Sequence, residues 1–76
     1  MSKVPGDISY NRVVAALARD GWVRVRTTGG HIHLRKIDDG LERTTVVPVR
    51  RPVERRILAK ILKQTGLSID RFLELL

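Results

Sequence analysis

The sequence predicts an α+β fold: a three-stranded antiparallel sheet with helices packed on one face, in the order α-β-β-β-α-(α). Three observations carry this reading. A three-and-four apolar spacing before Gly21 gives way to a period of two from Trp22. Two reversals, Gly29-Gly30 and Asp38-Asp39-Gly40, divide that stretch into strands. A three-and-four spacing then returns beyond Pro52, so helices flank a meander on both sides.

Met1 to Gly6 hold a Pro-Gly pair and no periodicity, and read as a flexible N-terminal tail (residues 1–6) of a single domain spanning 1–76. Asp7 or Ser9 can cap a first helix over roughly 9–20, in which Tyr10, Val13, Val14 and Leu17 share one face and Gly21 supplies a left-handed stop. From Trp22 the alternation puts Trp22, Arg24 and Arg26 on one side and Val23, Val25 and Thr27 on the other, as in a half-buried strand.

Gly29-Gly30 can take the positive φ angles of a tight hairpin, after which Ile32 and Leu34 alternate with His31, His33 and Arg35. A third strand, rich in Thr and Val, runs from Arg43 to Val49 and is ended by Pro48 and Pro52. Val53, Ile57, Leu58, Ile61 and Leu62 trace the apolar stripe of a second helix that Gly66 ends, with Arg55, Arg56, Lys60 and Lys63 around its other side. Ser68 caps a last short helix whose apolar face is Ile69, Phe72, Leu73 and Leu76, with Asp70 in the first turn.

Length and composition narrow the function. Seventy-six residues support one small core and no separate cofactor domain. One Tyr, one Trp and one Phe leave little for stacking platforms under single-stranded bases. Fifteen Lys plus Arg against eight Asp plus Glu give a net charge of +7, which favours a polyanionic partner, nucleic acid first. Without cysteine there is neither a disulfide framework nor a thiolate metal site. No stretch resembles a signal peptide or a bilayer-spanning run, so the expectation is a cytoplasmic protein with no membrane contact.

If the alternation holds, the solvent face of the sheet gathers Arg24, Arg26, His31, His33 and Arg35. Such a surface suits a phosphodiester backbone, although basic residues on an open sheet are also commonly a solvated face. The two histidines add chemistry, because cleaving RNA without a metal needs a base for the 2′-hydroxyl, cations near the phosphorane and an acid for the 5′-oxygen. An imidazole can serve either proton step. Histidines at i and i+2 of one strand lie on one face, roughly 6 to 7 Å apart, a span that a bound phosphate could bridge. Taken singly, each is more often an ordinary surface histidine. The pair makes no convincing metal set with Asp38 and Asp39 in the next turn, and no phosphate-loop, dinucleotide or nucleophile-elbow motif is present, so neither metal nor cofactor is expected. Arg50, Arg51, Arg55, Arg56, Lys60 and Lys63 around the second helix read as general electrostatic attraction.

Four segments in order resemble the HicA toxin family of messenger-RNA interferases, whose fold is like that of double-stranded-RNA-binding domains. They are Leu17-Ala18-Arg19-Asp20-Gly21-Trp22, the turn Gly29-Gly30-His31 where the family typically has Gly-Ser-His, Val47-Pro48, and Ile61-Leu62-Lys63-Gln64-Thr65-Gly66-Leu67-Ser68. The resemblance implies the toxin component of a type II toxin–antitoxin system: an endoribonuclease that cuts messenger RNA without a metal or cofactor. It makes His31 the single catalytic histidine and a HicB-like antitoxin the protein partner. Arg24, Arg26, Gly29, Gly30, His33, Arg35 and Arg50 are the candidate RNA-binding residues around it. His33 stands where the family usually has a less polar residue, and Arg50 near where many members have a histidine. Gly30 lacks the hydroxyl of the usual serine, which keeps open an alternative, a non-catalytic RNA-binding module of the same fold.

Overall fold

A computed structural model describes residues 3–76. It contains α1 (Tyr10–Arg19), β1 (Val23–Thr28), β2 (His31–Asp38), β3 (Leu41–Pro48), α2 (Arg55–Thr65) and α3 (Ile69–Leu75). The sheet is antiparallel in the order β1-β2-β3, so the expected α+β meander is what the chain forms.

Helices α1 and α2 bury the stripes their spacing defines, but the face of α3 needs correction: Phe72 is buried as expected, whereas Leu73 is exposed and Leu75 takes the inward place beside it. Val13, Ala16 and Leu17 of α1, Leu58, Ile61 and Leu62 of α2, and Phe72 and Leu75 of α3 meet Ile32 and Leu34 of β2 and Val47 of β3 in one core. Gly21 ends α1 with φ 97°, its N–H donating to Ala18 O and that of Trp22 to Leu17 O. Gly66 ends α2 in the left-handed region at φ 74°. The Ser68 hydroxyl accepts from the Arg71 N–H at 3.0 Å, as an N-cap should. Ser9 holds the cap position of α1, but its hydroxyl is bonded to the Asn11 side chain and caps no backbone N–H.

Several ties join distant parts of the chain. The Tyr10 N–H donates to Arg50 O at 3.0 Å and the Val53 N–H to Ile8 O at 2.8 Å, pinning the segment after β3 to the start of α1. Arg19 donates to the Leu75 carbonyl at 2.7 Å, satisfying the end of α3. Of the six residues read as a tail, Met1 and Ser2 lie outside the described residues. Val4 packs on the core, and its carbonyl accepts from Arg55 Nε at 2.8 Å.

The reading of the first strand needs correction, because all six residues of β1 are exposed and it is not half-buried. Helices α1 and α2 pack against β3, with the buried sheet positions on β2 and β3, and β1 is an edge strand beyond their cover. A register shift between Arg24 and Arg26 also breaks the period of two, leaving Val25 as the extra residue. Trp22, just before the strand, is buried and anchors it: its Nε1–H donates to Asp20 Oδ2 at 3.3 Å, and Lys36 Nζ donates to the same oxygen at 3.2 Å.

Candidate functional site

The hairpin between β1 and β2 is closed by Gly29 and Gly30, with Thr28 directly opposite His31. Gly29 takes a positive φ of 56°, a conformation that a Cβ disfavours. Gly30 is not among the positive-φ residues, and no atom lies within 4 Å of where its Cβ would be. Its carbonyl accepts the Val49 N–H at 2.7 Å, which fastens the turn to the end of β3.

Directly opposed residues of a sheet share a face. Ile32 and Leu34 face the helices, so His31, His33 and Arg35 face outward. His31 is exposed and lies between Thr28 and Pro48, whereas His33 is half-buried between Arg26 and Val46. Thr28 Oγ1 and His33 Nε2 share a hydrogen bond of 2.7 Å across the strands.

Not all of the expected residues come together. Arg26, His31, His33 and Arg35 share the outer face. Arg24 does not, because it opposes Leu34 and so lies on the helix side of the sheet; the shift at Val25 is the physical reason. Arg50 is exposed beyond β3, one residue past the amide that holds Gly30.

Two adjoining grooves mark this face. One, of about 340 Å³, runs from His31 and Val46 over the edge of β3 to Lys60 and Gln64 of α2. The other, of about 320 Å³, is bounded by Val25, Arg26, His33, Arg35 and Glu42. Thr44, Thr45 and Val46 line both. Below them the Thr45 hydroxyl donates to Gln64 Oε1 at 2.8 Å, fixing α2 against β3.

Gln64 is the residue that sequence reasoning missed, and Lys60, read there only as general electrostatic attraction, is brought into the His31 groove. The signal was present: Ile57, Lys60, Ile61 and Gln64 form one i, i+3, i+4, i+7 strip at the border of the buried stripe, half apolar and half polar. Nothing along the chain says that this border meets the strand edge nearest His31.

The ion pairs resolved among the described residues are Lys36 with Asp20 and Arg71 with Glu74. Arg26, Arg35 and Lys60 therefore meet no carboxylate at ion-pair distance and keep their charge for a ligand. Val23, Val25, Ile37 and Val46 stand exposed among them, so the surface offers apolar as well as cationic contact. No group of three His, Asp or Glu side chains among the described residues could hold a metal ion, and no described helix is long and apolar enough to cross a membrane. What the arrangement provides is two imidazoles that can move protons and three exposed cations that can hold an anion.

Comparison with known proteins gives the family. No curated protein and no solved structure matches the chain. One family model, described as the HicA toxin of bacterial toxin–antitoxin systems, matches residues 10–67, from the first residue of α1 to the residue after Gly66. That is about three-quarters of the sequence and includes the glycine turn, both histidines and all of α2, so the chain belongs to the HicA toxin family.

Proposed function

We propose that the protein is a toxin that cleaves messenger RNA in the cytoplasm without a metal, with His31 as the catalytic residue. The observation that carries this is the placing of His31: exposed, just past the glycine turn, at the mouth of a groove it shares with Lys60. There an imidazole can reach the 2′-hydroxyl or the 5′-oxygen of a bound strand, while cations offset the charge that builds on phosphorus. Arg26, Arg35 and Lys60 are the phosphate contacts nearest the reaction. Arg50, beside the turn, extends the track for the backbone, and Arg24 adds only to the general field. The exposed valines between the cations suit a protein partner, and the HicB-like antitoxin is expected to cover this face and so keep RNA from His31.

Purified protein incubated with messenger RNA in EDTA tests the assignment. Wild type is expected to cut, and His31→Ala to cut at least about 100-fold more slowly, as loss of a proton-transfer group requires. Salt-sensitive binding with intact RNA, or cleavage unchanged in His31→Ala, would overturn it; the first result is what a non-catalytic binding module would give.

A further inference from the structure

We infer that His33 is a second catalytic residue, held in place by Thr28, and that the two adjoining grooves take the nucleosides on either side of the scissile phosphate. This rests on the ribonuclease reading of His31 and adds what the other half of the surface does.

The first support is position. His33 follows His31 by two residues on one strand, so the rings leave the same face about 6 to 7 Å apart. A phosphate seated between them can meet both. The second is restraint: the Thr28 hydroxyl is bonded to His33 Nε2 at 2.7 Å, while Thr28 itself stands directly opposite His31. One threonine thus braces the ring of one histidine next to the other, and with Nε2 engaged, Nδ1 is the His33 nitrogen that the proposed proton transfer uses.

The third is the shape of the surface. Each groove exceeds the roughly 300 Å³ at which small-molecule sites begin, so each has room for a nucleoside but not for a helix of RNA. Each also has its own histidine and cations: His31 with Lys60 in one, His33 with Arg26 and Arg35 in the other. The residues they share, Thr44 to Val46, form a common wall, with Val46 directly opposite His33 and two residues from Pro48, the partner of His31, so a strand passing from one groove to the other would carry its phosphate past both histidines.

The reaction balances with these groups alone. The neutral imidazole of the pair accepts the 2′-hydroxyl proton as the O2′–P bond forms. The protonated imidazole gives its proton to O5′ as the P–O5′ bond breaks. The products are a 2′,3′-cyclic phosphate and a 5′-hydroxyl, and the two histidines finish with their protonation exchanged. The charged groups facing the pair are Arg26 from β1, Arg35 from β2, Glu42 from β3 and Lys60 from α2.

Steady-state cleavage of a short single-stranded RNA, followed against pH, tests the proposal. Wild type is expected to give a bell-shaped kcat profile. His33→Gln should lower kcat about 100-fold with KM within about twofold, and the profile should lose one limb. Thr28→Val should lower kcat several-fold, and Thr28→Ser should restore it. A His33→Gln protein that binds RNA as wild type does and keeps its kcat and both limbs overturns the proposal, as does one in which only KM rises. If His33→Gln loses its fold by thermal melting, the Thr28 pair decides: equal kcat in Thr28→Val and wild type overturns it. Cleavage that survives His31→Ala contradicts the assignment of His31 instead, so the two failures are distinguishable.

Discussion

Gly30 accepts the Val49 N–H through its carbonyl at 2.7 Å, so the turn that presents His31 is tied to the far end of the third strand and is not a free loop. The tie uses only backbone atoms and leaves the side-chain position of Gly30 open. The two glycines of the turn therefore have different tolerances.

Gly29→Ala places a Cβ at φ 56° and is expected to destabilise the domain by about 1 to 2 kcal/mol. Gly30→Ser meets no atom within 4 Å and should shift stability by no more than about 0.5 kcal/mol. It also restores the hydroxyl usual in the family, and cleavage should rise. Urea titration of the two variants, with RNA cleavage by Gly30→Ser, checks both statements.

Arg24 and Arg26 should differ although only one residue separates them. Arg26 opposes His33 on the outer face, and Arg24 opposes Leu34 on the other. Arg26→Ala should weaken RNA binding and reduce the slope of log affinity against log salt by about 1, while Arg24→Ala should leave the slope nearly unchanged. Fluorescence titration over a range of salt concentrations measures both.

Much of this architecture could be read from residue order. The stripes of α1 and α2, the stops at Gly21 and Gly66 and the meander follow from local spacing and turn chemistry; the structure repeats them with small shifts, Ala16 joining the buried face of α1 and the third strand starting at Leu41 instead of Arg43. The exposed position of His31 just past its turn could likewise be read. What could not be read depends on contacts between distant segments. The face of Arg24 is set by a bulge that appears only when β1 is laid against β2. The exposure of β1 follows from where α1 and α2 lie, and alternating residues look the same on a covered strand and on a bare edge. Lys60 joins His31 because α2 packs on β3 through Leu58, Ile61 and Leu62 in the core, with Thr45 and Gln64 bonded across the contact.

Lys60 and Lys63 provide a contrast on one helix. Lys60 lines the His31 groove and Lys63 lines none of the grooves on this face. Lys60→Ala is expected to lower kcat/KM for RNA about 10-fold, and Lys63→Ala less than about twofold; single-turnover cleavage separates them.

The last helix lies beyond the segment that the family model matches, yet Phe72 is fully buried among residues from the rest of the chain. Phe72→Ala should cost about 3 to 5 kcal/mol, which in a domain of this size is a large share of the total. Removing residues 68–76 should abolish cooperative unfolding. Circular dichroism with temperature tests whether α3 belongs to the same folding unit.

Analysis of the cut ends in EDTA tests the central claim most directly, using one single-stranded RNA and its all-deoxy counterpart with wild type and His31→Ala. The expected result is 2′,3′-cyclic phosphate and 5′-hydroxyl ends from RNA with wild type, none from the deoxy strand and almost none with His31→Ala. Ends bearing 5′-phosphate, or cutting of the deoxy strand, would contradict it.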